Sequence, residues 1–137
     1  MALSLKKYLA SALKWLIPFA LLEILLVILR LTESAEAELF AMVTVVSVFC
    51  LLLPGGYFLT MFFVYRKKHR SFTPTEGVIV NWQAGFYRYT GSVIVNVDGK
   101  EYSTSAYFSQ EECKELVGKA ISYAIIDETL FIYEIKD

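Results

Sequence analysis

The chain has one histidine, two cysteines and three prolines in 137 residues. Those shortages exclude much chemistry. His69 stands alone, so no His/Cys set reaches the ligand number that a zinc site needs. Beyond residue 70 there is no histidine at all, and Cys113, beside Lys114, has no identifiable base to activate it. Cys50 lies in an apolar run and Cys113 in a polar, helix-like stretch. The two have no reason to meet, so no disulfide is assigned and Cys50 is read as a small hydrophobe. No catalytic, metal-binding or cofactor-binding residue stands out, and the chain is not read as an enzyme.

Charge is also scarce, at 20% of residues, and unevenly placed. Residues 1–70 carry eight Lys/Arg and four Asp/Glu, net +4; residues 71–137 carry five and ten, net −5. An acidic second half without clustered cations excludes nucleic acid as its main partner. The mean hydropathy of +0.50 comes almost wholly from the first half.

What is present there is length without charge. Leu39 to Tyr65 is nearly all apolar, and Arg66-Lys67-Lys68-His69-Arg70 follows at once. About 20 apolar residues cross a hydrocarbon core of about 30 Å, so this run predicts a transmembrane helix. An earlier span is predicted over about 8–31, interrupted by Lys14, Pro18, Glu23 and Arg30. Residues 2–15 have two readings. They either join that span, or form an amphipathic helix lying in the interface until Pro18. In the second reading Leu5, Leu9, Leu13 and Leu16 form one face and Ser4, Lys7, Ser11 and Lys14 the other. Lys6, Lys7 and Lys14 precede the first span, Arg66, Lys67, Lys68 and Arg70 follow the second, and the connection is acidic. The positive-inside rule then puts both termini in the cytoplasm. The Ala35-Glu36-Ala37 segment also fits a signal cleavage site, but an uncleaved anchor is the preferred reading.

Three features of this half are candidate sites. In a hairpin turning near residue 35, Glu23 lies level with Ser47 and within a turn of Thr44. Those three residues are read as a hydrogen-bonded polar set, a subunit contact, or an ion or proton site. Pro54-Gly55-Gly56 is read as a kink or hinge, and Gly56 with Thr60 as a small-residue pair. The basic residues Arg66, Lys67, Lys68 and Arg70 fix topology and can attract anionic headgroups.

After a linker at 71–76, residues 77–137 predict a small, mostly-β domain. Gly77 to Trp82 alternates, with Val78, Val80 and Trp82 on one face. Asp98-Gly99 predicts a type I′ hairpin that pairs Val97 with Lys100, Val95 with Tyr102 and Val93 with Thr104, and buries Val93, Val95 and Tyr102. Ser109 and Glu112 form a capping box for a short helix, with Leu116 and Val117 as its apolar contacts and Gly118 as its end. Strands follow over Ala120 to Ile126 and Leu130 to Ile135. Such a chain suits a partly open barrel of OB or SH3 type, small enough to lean on a neighbour. Phe86, Tyr87, Arg88 and Tyr89 are the candidate interaction surface.

Glu76-Gly77-Val78-Ile79-Val80, the hairpin Val93 to Tyr102 around Asp98-Gly99-Lys100, and Val117-Gly118-Lys119 opening a strand resemble a family of uncharacterised small bacterial membrane proteins with a short β domain. The arrangement is also similar to NfeD-type proteins, in which membrane helices precede a cytoplasmic OB domain. Either resemblance implies a scaffold or accessory role at the bacterial inner membrane. The partners implied are membrane lipid and another membrane protein or a second copy. The competing expectation is a small homo-oligomeric channel or transporter subunit using Glu23.

Overall fold

The computed structural model describes residues 2–32, 36–85 and 89–136. The chain forms two compact units. One is Tyr8–Phe62; the other joins Met1–Lys7 to Phe63–Asp137.

The helical unit holds most of α1 (Leu3–Leu31) and most of a second helical path. That path comprises α2 (Ala37–Ser47), a π-helical turn (Val48–Leu52) and α3 (Leu53–Lys68), and a 3₁₀ turn (His69–Ser71) extends it. Both paths are long and apolar enough to cross a membrane, at 29 and 35 residues. Pro18 lies inside α1 without ending it. Residues 3–15 are therefore the start of one continuous helix. The expected faces hold in part: Leu5 is buried and Lys14 exposed, but Ser4 is fully buried and Leu13 is 46% exposed.

The π turn has a local cause. Pro54 has no N–H to give the residue four before it, and its ring would clash with that carbonyl. Widening the turn just upstream removes the clash and keeps the path helical. Pro54-Gly55-Gly56 thus lies in the first turn of α3, directly after the π turn. Gly55 lets the two paths close on each other: a Cβ there would lie 2.6 Å from Leu16 Cγ and 3.3 Å from Trp15 Cβ. Gly56 meets nothing within 4 Å.

The second unit contains two antiparallel sheets and no closed barrel among the described residues. The first sheet has the order β1 (Thr75–Val78), β6 (Ala120–Ile126), β7 (Thr129–Lys136). The second has β2 (Asn81–Ala84), β3 (Thr90–Val97) and β4 (Lys100–Ser103), with the two-residue β5 (Phe108–Ser109) also pairing with β3. β1 begins inside the segment that reads as a linker, because Thr75 and Glu76 pair with Tyr123 and Ser122.

The alternating run Gly77 to Trp82 is two strands, not one. Its path leaves the first sheet and joins the second through Ile79 and Val80. Ile79 N–H donates to the Lys119 carbonyl at 3.1 Å, and Val80 N–H to the Ile94 carbonyl at 2.9 Å. The corner inverts the expected burial: Ile79 is wholly buried while Val78 and Val80 are about half exposed.

The hairpin at Asp98-Gly99 has the register that its two-residue turn demands, with φ of 53° and 85° at the two turn residues. Val93 and Val95 enter the core, and Tyr102 is only half buried. Helix α4 (Gln110–Leu116) opens on the Ser109–Glu112 capping box. Its core residue is Cys113, not Val117, which is 40% exposed. Gly91 makes room for it, since a Cβ there would lie 3.1 Å from Cys113 Sγ.

The β6–β7 turn places Asp127 and Glu128 at φ of 51° and 63°. Left-handed backbone costs a non-glycine residue about 1–2 kcal/mol, and aspartate tolerates it better than glutamate. Glu128→Gly is therefore expected to raise stability by about 1 kcal/mol. For a domain this small that is about 4–8 °C in thermal midpoint, readable by thermal unfolding in mild detergent.

Candidate functional site

In the helical unit, Ser47 Oγ lies 2.6 Å from Glu23 Oε1 and 2.8 Å from the Thr44 carbonyl. The register of about 70 between partner numbers, which also sets Leu16 on Gly55, puts Glu23 opposite Ser47. Thr44 belongs to the same turn, but its Oγ1 is buried without a hydrogen-bond partner.

The basic run divides into two groups. Lys68 reaches Asp127 at 2.5 Å, and that contact raises its pKa, first through the hydrogen bond and then through the charge. Phe63, Arg66, Lys67 and Arg70 instead line one open cleft. Of the aromatic set proposed as an interaction surface, Phe86, Tyr87 and Arg88 lie outside the described residues. Tyr89 is 66% exposed and has φ of 66°.

One buried polar network is not announced by the sequence. Ser4, 0% exposed, sits beside the edge of β7. Its Oγ accepts from Ile132 N–H at 2.8 Å and shares a 2.6 Å hydrogen bond with the Tyr107 hydroxyl. Thr104 continues the network: it hydrogen-bonds Tyr107 and accepts from Val93 N–H at 3.2 Å. A chain of polar groups thus runs from β7, through the first turn of α1, to β3. The opposite edge of β7 pairs with β6, so Ser4 satisfies an amide that an open sheet edge would leave to water or to another strand.

The end of α3 meets the same sheet. Tyr65 and His69, four residues apart on one helix face, lie 5.6 and 5.7 Å from the Phe131 ring, the imidazole stacked at 25°. His69 Nδ1–H donates to the Tyr65 carbonyl at 2.9 Å. A bulge in β7 sets Tyr133 outside the β6 register, and its hydroxyl donates to the His69 carbonyl at 2.6 Å. The only histidine is therefore a structural group. Both ends of the helical paths, residues 3–7 and 63–71, are parts of the β unit.

Lys7 adds an ion pair with Glu112 at 2.5 Å and lies 5.0 Å from the centre of the Phe108 ring. Burial favours the neutral form of Glu112. The Lys7 hydrogen bond and charge, with the Ser109 amide and hydroxyl, outweigh it and hold the carboxyl below its ordinary value. A depressed carboxyl stabilises the fold above its unfolded pKa and loses that contribution as pH falls through the folded one. Stability is thus expected to fall between about pH 5 and pH 3, and Glu112→Gln to flatten that part of the profile. Unfolding midpoints measured across that range check it.

Burial, then the charge of Glu112, push the Cys113 thiol up to about 11. It is protonated at neutral pH and unsuited to act as a nucleophile. Among the described residues no group of three His, Cys, Asp or Glu is placed to hold a metal ion. No protein-family model, curated protein or solved structure matches the chain.

Proposed function

We propose that this chain is a membrane-anchored scaffold or accessory subunit of a larger membrane complex. It sits in a bacterial inner membrane with both termini cytoplasmic, and binds protein partners through its hairpin and its β domain. One observation carries the reading: the helical unit leaves large side chains uncovered around its outer surface. Leu21, Met42 and Phe49 are 64%, 63% and 64% exposed. Apolar surface of that extent needs lipid or another membrane helix against it. The Lys/Arg residues cluster at the two ends that join the β domain, as the positive-inside rule requires of cytoplasmic ends. The strand path that changes sheets at Ile79 suits an open barrel of the OB or SH3 kind, and the resemblance to NfeD-type proteins agrees. A protonated Cys113 supports interaction rather than catalysis.

A second reading, a small homo-oligomeric channel or transporter subunit, draws on the unpartnered Thr44 Oγ1 beside the Glu23–Ser47 pair. Extraction in mild detergent followed by mass analysis separates the two. The scaffold reading expects a stoichiometric complex with a larger membrane protein. A closed homo-oligomer whose ion flux is lost in Glu23→Gln supports the second reading. A bare monomer in gentle extraction overturns both.

A further inference from the structure

The geometry points to a binding site for one anionic glycerophospholipid on the stripe Phe63, Arg66, Lys67 and Arg70. The inference rests on the membrane-anchored reading above and adds a ligand class to it.

The four residues are spaced i, i+3, i+4 and i+7 along α3 and the 3₁₀ turn that follows, so they share one helix face. They line one open surface cleft. The other face of this helix end is used differently: Tyr65 packs tilted against Phe131, His69 stacks on it, and Lys68 is drawn to Asp127. Arg66, Lys67 and Arg70 are exposed, with no carboxylate partner among the described residues. Tertiary structure thus sorts a run of five basic or titratable residues into a clamp and a free cationic stripe.

The chemistry of the stripe selects among anions. Arg66 and Arg70 stand one turn apart, so two planar guanidinium groups can hold one phosphate from neighbouring sides, with Lys67 adding a point charge. Phe63, 51% exposed, lies a turn closer to the apolar run. A free phosphate has no use for that ring. A phospholipid does: its phosphate meets the cations while its glycerol and acyl chain continue along Phe63 toward Leu39. A zwitterionic headgroup brings a cation that the stripe repels.

The test uses the full chain. Membranes are first washed with alkaline carbonate, and the protein remaining in them is purified in mild detergent. Native mass spectrometry then counts lipid retained after addition of phosphatidylglycerol, phosphatidylcholine or inorganic phosphate. Wild type is expected to retain phosphatidylglycerol over phosphatidylcholine. Arg66→Gln/Arg70→Gln is expected to weaken that retention by at least roughly tenfold, since each basic residue near a headgroup is worth roughly a fivefold change. Lys68→Gln is expected to retain lipid as wild type does. The double variant keeps Lys6, Lys7, Lys14, Lys67 and Lys68, so its orientation is preserved. Millimolar phosphate is expected to leave retention unchanged, and Phe63→Ala to reduce it. Carbonate-resistant protein whose double variant binds phosphatidylglycerol as wild type does overturns the lipid site alone. Displacement of the lipid by inorganic phosphate, with Phe63→Ala neutral, also overturns it, in favour of a plain anion site. Release of the wild type by carbonate overturns the anchored reading beneath it.

Discussion

Phe131→Ala is expected to cost about 3–5 kcal/mol, the usual range for deleting a buried aromatic ring. Domains of this size hold about that much in total, so the variant should lose cooperative unfolding of the β unit. The reason is position as much as size. Phe131 is 1% exposed and packs against Tyr65, His69 and Tyr133 at centroid distances of 5.6, 5.7 and 5.1 Å. It is where the end of α3 enters the core of the first sheet. Removing it opens a cavity and also releases the helix end that carries the cationic stripe. Pulse proteolysis in mild detergent reads the effect. Susceptibility should rise across residues 71–136 while the apolar helices remain resistant. A variant as resistant as wild type would mean that α3 and the sheet are merely adjacent.

Ser4→Ala comes second in expected size, at about 1–3 kcal/mol, although it removes a single oxygen. The Ile132 amide would be left buried without the Ser4 acceptor, and the Tyr107 hydroxyl would lose its 2.6 Å hydrogen bond. An unmade buried hydrogen bond costs far more than the net gain of a made one. Because the groups form one network, a double-mutant cycle is informative. Tyr107→Phe is expected to cost less in the Ser4→Ala background than in wild type, because the shared bond is already gone. Strict additivity in chemical unfolding would show that the two hydroxyls act independently. Deleting residues 2–7 should go further, since it also removes Leu5, 2% exposed, and the Lys7–Glu112 pair.

The legible parts of this chain were those set by neighbours in sequence. Asp98-Gly99 dictates its turn and the pairing on either side, Ser109 and Glu112 cap a helix from three residues apart, and a long apolar run followed by cations has few alternative readings. Glu23 facing Ser47 needed only helix spacing and one assumed turn. What escaped was set by contacts distant in the chain. A serine in an amphipathic pattern reads as solvent-facing, and nothing local to Ser4 announces an amide 128 residues away. Lys68 looks like its neighbours until Asp127 is placed beside it. Ile79 reads as one residue of a strand because the change of sheet is made by distant partners: Lys119, just before β6, for Ile79, and Ile94 in β3 for Val80. Cys113 was read for its chemistry, whereas the space left by Gly91 makes it the core residue of α4.

The β unit borrows residues from the beginning of one apolar helix and the end of the other. It therefore holds the two helix ends that the anchored reading places at the cytoplasmic face. Pro54-Gly55-Gly56 lies in a continuous helical path with Gly55 packed on Leu16.

Hydrogen exchange at the Ile132 amide, in the full chain in mild detergent, tests this sharing of helix ends most directly. If the first turn of α1 belongs to the β unit, Ile132 should be protected as strongly as the central strand residue Val93. That protection should fall to the level of an open edge in Ser4→Ala. Exchange at the open-edge rate in wild type, or protection indifferent to Ser4, would contradict it.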